Sequence, residues 1–351
     1  MTEPGNQSPI EQALGCLSAG APIDEKLSAA AFGQLMSGAA STVQAAALLT
    51  GLRARTESVD EVTGAVRAVR DAMVTIGTPD GVDVIDTCGT GGGVVGTFNI
   101  STVAALVAAG AGASVAKHGN RSYTSKCGSA DVLEALGAEI SVDPSRAASV
   151  LGRAGMVFLY APAFHPAMRH VGPVRKELGI PTVMNMIGPL ANPAGVRRQV
   201  LGVADVGRAP ILAEVLRRLG AQHSLVVHGN VGMDEIAPHG STAVWEVKDG
   251  AISTWTLDPA DFGLVVDDLA ELTGGTPAEN AIRVERLLSD PRRDDAGRSA
   301  VLLNAGAALY VADLADDLHA AVDRAREALD GGAALEVLDR LRSGSPSGTS
   351  E

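Results

Sequence analysis

A chain of 351 residues with 46% apolar and 20% charged side chains holds enough apolar surface for one large core or two smaller ones, which excludes wholesale disorder. Its 41 acidic residues outnumber 28 Lys and Arg; the formal charge of −13 excludes a broadly basic nucleic-acid-binding surface. Three cysteines, Cys16, Cys88 and Cys127, are too few and too dispersed for a disulfide framework or a zinc site.

Residues 9–75 read as helices only. Ile10, Ala13, Leu14 and Leu17 recur at helical spacing, as do Phe32, Leu35 and Met36. Ser41 is placed to cap a helix over 42–53, and Ser58-x-x-Glu61 is a capping box that opens the next helix through Val62, Val66 and Val69. From Val82 onward strand and helix alternate, which predicts a mainly parallel sheet covered by helices. Strands are expected at 82–85, 113–116, 156–160, 199–203 and 224–227, and helices at 144–154 and 209–219. Residues 166–178 have helical composition interrupted by Gly172-Pro173, and Lys248-Asp249-Gly250 joins two strands as a hairpin. Helices fill 299–314 and 316–329, and the tail SGSPSGTSE reads as flexible. The expected fold class is α/β: a helical domain over 1–78, a large domain over 79–342 with a mainly parallel sheet flanked by helices, and a tail over 343–351. The N-terminus lacks a signal peptide's basic and apolar regions, and no clean apolar run reaches about 18 residues, so a soluble cytoplasmic protein without a membrane span is expected.

The stretch 82–137 organises the rest. A short apolar run ends in Asp86, a loop with five glycines between Gly89 and Gly96 follows, and Asn99-Ile100-Ser101-Thr102 opens a small-residue helix. Free backbone N–H groups and the positive end of a helix dipole then point at one spot, which suits an anion. The next apolar run ends in Lys117-His118-Gly119-Asn120-Arg121-Ser122, adding two cations, hydroxyls and amides. A heavily phosphorylated small molecule is the expected ligand. Gly91-x-Gly93-x-x-Gly96 matches a dinucleotide fingerprint, yet the next strand ends in Lys117 where an acidic residue belongs. The Gly-Lys-Ser/Thr of a phosphate-loop NTPase is absent. A plain surface loop is the remaining alternative.

The ordered series Asp86-x-x-Gly89-Thr90-Gly91-Gly92, Thr97-Phe98-Asn99-Ile100-Ser101-Thr102, Lys117 to Ser122 and Gly128-Ser129-Ala130-Asp131 resembles the anthranilate phosphoribosyltransferase family. The resemblance continues through His165-Pro166-Ala167-Met168-Arg169, Pro173-Val174-Arg175, Asn185-x-x-Gly188-Pro189-Leu190-x-Asn192-Pro193 and His228-Gly229-x-x-Gly232-x-Asp234-Glu235, and spans roughly residues 10–340. It implies transfer of a phosphoribosyl group from 5-phosphoribosyl 1-diphosphate to the amine of anthranilate, in tryptophan biosynthesis. It also implies a helical domain completed by helices from about 165–195 and a homodimer through that domain.

Residue by residue, the resemblance implies phosphoribosyl diphosphate contacts at Gly89, Thr90, Gly91, Gly92, Gly93, Thr97, Asn99, Ile100, Ser101, Thr102, Lys117, His118, Gly119, Asn120, Arg121, Ser122, Tyr123, Thr124, Ser125 and Ser129. Anthranilate contacts fall on Gly89, Asn120, Arg175 and Gly188, with Arg175 gripping the carboxylate. Mg2+ falls to Ser101, Asp234 and Glu235, because paired carboxylates on a loop suit a cation that takes oxygen ligands. His118 and His165 are candidate bases, but a neutral aryl amine needs no strong base, so both are read as substrate-positioning residues first. Ser129 and Arg121 also admit bland roles, a helix cap and a surface charge. One departure stands out: Gly93-Val94 occupies the place where the family commonly carries an acidic residue. Two other readings are a pyrimidine nucleoside phosphorylase and a nucleic-acid-binding relative of the fold. Lys117-His118-Gly119-Asn120 and Asp234-Glu235 weigh against the first, and the acidic charge against the second.

Overall fold

In the computed structural model, which describes residues 7–78, 82–122 and 126–344, four helices come first. They are α1 (Pro9–Ser18), α2 (Glu25–Ser37), α3 (Thr42–Arg55) and α4 (Val59–Asp71). Ser41 and Ser58 each cap their helix, and Gln44 and Glu61 reach back to the cap N–H at 2.9 and 2.8 Å, so both expected starts hold. The chain then alternates through β1 (Val84–Gly89), α5 (Ile100–Gly110), β2 (Ser114–Gly119), α6 (Ser129–Ala135), α7 (Pro144–Ala154) and β3 (Met156–Tyr160). Three short helices follow, α8 (Ala161–Phe164), α9 (Gly172–Leu178) and α10 (Val183–Ile187), then β4 (Arg198–Gly202), α11 (Ala209–Arg218), β5 (His223–Gly229), β6 (Thr242–Lys248) and β7 (Ala251–Leu257). The chain closes with α12 (Pro277–Ser289), α13 (Asp295–Val311), α14 (Leu318–Asp330) and α15 (Ala333–Arg342).

The strands form one seven-stranded sheet in the order β3-β2-β1-β4-β5-β6-β7. The first five are parallel; β6 and β7 add antiparallel at one edge. Asp249 and Gly250 turn the β6–β7 hairpin with φ of 49° and 79°, as an Asp-Gly pair with two positive φ angles should. The sheet divides two cores because alternate strand residues face opposite ways. Val200, Leu225 and Val227 join the core under α5 and α12 to α15, whereas Leu201 and Val226 face α11 and the N-terminal helices. That second core also takes Val174, Val183, Met184 and Ile187, because α9 packs on α3 and α10 on α3 and α4. Among the described residues no helix is long and apolar enough to cross a membrane.

Two strands end later than their composition suggests. β1 starts at Val84 and reaches Gly89, where it pairs with Gly202; β2 runs through Lys117 and His118, which pair with Phe158 and Leu159. Parallel neighbours prolong a ladder past its apolar residues, so polar functional groups sit on strand ends and not in loops. The break at Gly172-Pro173 is also placed differently: a 3₁₀ turn, Pro166–His170, precedes it, and Gly172-Pro173 opens α9, where a proline's missing N–H costs nothing.

Candidate active site

Strand order reverses between β1 and β4, so their carboxyl ends part and leave a crevice there. The glycine loop leaves β1 at this point. Gly91 and Gly92 have φ of 68° and 83°, which only glycine adopts freely. Asp234 enters from the loop after β5, and the Gly91 N–H donates to its Oδ2 at 2.9 Å. A Cβ at Gly89 or at Gly93 would stand 2.9 Å from the Asp234 carboxylate, and one at Gly202 would stand 1.7 Å from its carbonyl oxygen. These glycines admit the carboxylate.

Glu235 lies against the start of α5, where the Ser101 N–H donates to its Oε1 at 3.2 Å. Lys117, fully buried, donates its ammonium to the Thr87 carbonyl and stands 3.4 Å from Ser101 Oγ. Burial, joined by the like charge of Asp234, pushes Glu235 up to about 8; burial also raises Asp234. Burial lowers Lys117, opposed by the charges of Asp86, Cys88 and Glu235. The sequence-predicted Ser101, Asp234 and Glu235 are thus brought together. Two crowded carboxylates and a hydroxyl, all oxygen donors, are a set that a divalent cation relieves.

His118 and His165 also meet. Their Nε2 atoms lie 3.2 Å apart, and His118 Nδ1 donates to the Gly188 carbonyl at 3.2 Å. Burial holds His118 down to about 3, with His165 and Lys117 adding to it, and burial holds His165 at about 4, so both rings are neutral near pH 7. The segment bearing Arg175 therefore begins and ends at His118, through His165 before it and Gly188 after it. Arg175 itself is half-buried on α9.

Other predicted residues are placed less simply. Ile100 and Thr102 turn their side chains into the core, and their N–H groups donate to Phe98 and Asn99 carbonyls at 2.7 and 3.1 Å. Thr97 bridges to Thr273. The Thr90 hydroxyl accepts from Ala204 N–H at 3.2 Å. Arg121 is exposed and paired with Asp131 and Glu134 at 2.9 and 2.7 Å, so it meets an anion in the crevice only if these pairs open. The Asn120 side chain accepts from the Arg121 N–H at 2.7 Å, and the Asn120 backbone carbonyl accepts from Ser129 Oγ at 3.3 Å. Ser129 therefore does not cap α6, and Gly119 lets it approach, since a Cβ there would meet Ser129 Oγ at 2.3 Å. Asp131 holds the loop by accepting from the Ser122 and Gly128 N–H groups at 3.1 and 2.8 Å. Tyr123, Thr124 and Ser125 lie outside the described residues.

Two supporting contacts escape sequence reasoning. Asn192 donates to Asp86 Oδ2 at 2.8 Å and to the Ala116 carbonyl at 2.7 Å, tying the chain after α10 to the ends of β1 and β2. Asp86 is fully buried, and burial, opposed by Lys117 and Asn192, raises it to about 6. Asn280 on α12 holds the side chain of Asn99 at 3.0 Å. The available signal was an asparagine on the apolar stripe of Ala281, Val284 and Leu287.

A helical bundle beside a doubly wound sheet, with a glycine loop at the switch point, is the build that a glycosyl transferase family matches. Residues 11–73 match the glycosyl transferase family's helical bundle domain and residues 81–335 its a/b domain. A relative from Rubrobacter xylanophilus named anthranilate phosphoribosyltransferase is 48% identical over 332 residues, 95% of this chain and 96% of its own length. The crystal structure of the Thermus thermophilus anthranilate phosphoribosyltransferase superposes with a TM-score of 0.88 at 42% identity, covering 94% of this chain and 98% of that one. The Saccharomyces cerevisiae enzyme in complex with PRPP and Mg superposes at 0.87 with 28% identity, covering 95% and 97%. The chain belongs to the anthranilate phosphoribosyltransferase family.

Proposed function

We propose that this protein transfers the phosphoribosyl group of 5-phosphoribosyl 1-diphosphate to the amine of anthranilate, releasing diphosphate, in tryptophan biosynthesis. The observation that carries the reading is the convergence at one switch point of the glycine loop, Ser101, Lys117 and the Asp234-Glu235 pair. The amine nitrogen bonds to ribose C1 as the bond from C1 to the diphosphate oxygen breaks. Diphosphate leaves with the electron pair, and the amine nitrogen, cationic once bonded to C1, releases one proton to water. Negative charge builds on the leaving group and positive charge on the ring, so donors fixed in advance around the diphosphate lower the barrier.

The loop from Gly89 to Gly93, with Thr90, Asn99 and Ser101, supplies N–H and O–H donors to the diphosphate. Gly119, Asn120, Ser122 and Ser129 supply them to the 5-phosphate, and Lys117 adds positive charge beneath both. Ser101, Asp234 and Glu235 hold Mg2+, an assignment supported by their oxygen donors and mutual crowding. When bound, the cation neutralises diphosphate charge. His118 and His165 position the acceptor, because neutral rings engaged with each other and with Gly188 are poor bases. Arg175 grips the anthranilate carboxylate, with Asn120, Gly89 and Gly188 beside the ring. The helical bundle forms the homodimer contact; a single monomeric species in sedimentation would remove that part of the reading.

The test is a fluorescence assay with anthranilate, phosphoribosyl diphosphate and Mg2+. Anthranilate fluorescence should fall only when all three meet the protein. No fall in a protein that still binds phosphoribosyl diphosphate would transfer the acceptor role to another aryl amine, and failure to bind it would remove the reading.

A further inference from the structure

Asn99 heads an eleven-residue helix yet caps nothing: no side-chain hydrogen bond runs from it to the first turn of α5. An asparagine at this position ordinarily turns its oxygen back onto the N2 or N3 N–H. Here that oxygen is taken by Asn280 Nδ2 at 3.0 Å, 181 positions away. Asn280 is buried, 3% exposed, and its own oxygen accepts from the Gly275 N–H at 2.7 Å. At the other end, Asn99 Nδ2 donates to the Cys127 carbonyl at 3.1 Å.

The chemistry of the two ends sets the polarity of this relay. A backbone N–H only donates and a backbone carbonyl only accepts. Gly275 therefore requires the Asn280 oxygen, which aims the Asn280 amide nitrogen at the Asn99 oxygen, which turns the Asn99 nitrogen towards Cys127. Both amides read the same way from either end, so neither can flip without losing two bonds. The backbone reinforces the alignment: Phe98 N–H donates to Leu272 O at 2.9 Å, and Gly274 N–H to Gly96 O at 3.1 Å. A Cβ on Gly274 would meet the Thr97 carbonyl at 2.4 Å, so only glycine lets these segments lie so close.

We propose that Asn280 is a positioning residue for phosphoribosyl diphosphate, acting by fixing the Asn99 amide with its N–H donors turned to the Cys127–Gly128 side, where the phosphate loop continues, and its oxygen turned away. The inference rests on the reading of Asn99 as a diphosphate contact. Reversed, Asn99 would offer a carbonyl oxygen to an anion. The first turn of α5 does without the side chain: Ile100 N–H donates to the Phe98 carbonyl, Thr102 N–H to the Asn99 backbone carbonyl and Ser101 N–H to Glu235.

The experiment is a double-mutant cycle on the full chain, read by calorimetric binding of phosphoribosyl diphosphate with Mg2+ and by steady-state kinetics. Asn280→Leu should raise the Kd of phosphoribosyl diphosphate by about tenfold or more, the worth of one hydrogen bond to a charged group. The KM for anthranilate should stay within about twofold, since Arg175, assigned to its carboxylate, lies on α9, outside the relay. In an Asn99→Ala background Asn280→Leu should change nothing further. Asn280→Asp keeps the Gly275 bond but offers Asn99 an acceptor, so it should weaken binding as much while preserving the melting temperature better. Equal losses for Asn280→Leu in both backgrounds, or normal binding by Asn280→Asp, would overturn the inference. Wild-type protein that does not bind phosphoribosyl diphosphate would overturn the functional reading as well, whereas intact binding in every Asn280 variant overturns this inference alone.

Discussion

The two ends of β5 treat charge in opposite ways. At its start His223 stands between Glu246, 2.8 Å from Nε2, and Asp313, 3.3 Å from Nδ1. Glu246 also accepts from Tyr310 at 3.0 Å and Trp255 at 2.9 Å. Those bonds, His223 foremost, hold it down to about 2. Past its other end Asp234 and Glu235 lie side by side with few donors, and burial first, then the charge of Asp234, raises Glu235 to about 8. One end is a finished network that holds the antiparallel edge to the sheet. The other is left short of positive charge, which on the proposed reading a divalent cation would supply.

The comparison breaks most visibly at the carboxylate pair. Replacing Asp234 and Glu235 together by Ala should cut turnover by at least about 10²-fold. Glu235→Gln should do so too while melting higher than wild type. The sign follows from the raised pKa: folding favours the protonated carboxyl, so Glu235 contributes stability below its unfolded value near 4.5 and loses it as pH rises through about 8. The melting advantage of the Gln variant should therefore widen from pH 5 to pH 9, and a constant gap would count against the crowding.

At the other end Glu246→Ala should cost stability, about 2–3 kcal/mol, by leaving His223, Tyr310 and Trp255 without their acceptor, and leave kcat/KM unchanged. Its pH dependence runs the opposite way. A depressed pKa means stability present above about 4.5 and lost as pH falls towards about 2, so wild type and Glu246→Gln should converge in acid. Arg175→Ala should raise the KM for anthranilate about tenfold with little change for phosphoribosyl diphosphate, as expected when a carboxylate loses a guanidinium. The smallest effect is assigned to Gly93→Asp. Its Cβ would press on Asp234 Oδ1 at 2.9 Å, so a new carboxylate should shift the Mg2+ titration severalfold. An unmoved titration would show that the glycine here is neutral to the metal.

Much of this was legible in the residue order. The cap at Ser41, the capping box at Ser58 and the Asp249-Gly250 turn are local chemistry, satisfied within three or four residues, and they fall where the pattern put them. The parallel α/β class followed from alternating apolar periods. Strand ends were less legible, because pairing with a neighbour prolonged β1 and β2 beyond their apolar runs. Arg121 read as a phosphate ligand from its motif, yet its guanidinium is held by Asp131 and Glu134, a competition decided by how α6 lies.

By itself the sequence determined the helical bundle, the mainly parallel sheet, the glycine loop with its needed φ > 0 positions, and the kinds of polar group gathered beside it. Only the tertiary structure decided that Asp234 enters the glycine loop, that the Nε2 atoms of His118 and His165 meet, and that Asn280 orients Asn99 from 181 positions away. The physical reason is range. Caps, turns and periodicity are settled by neighbours along the chain, whereas pKa shifts and amide orientation depend on which distant groups packing brings within about 3 Å.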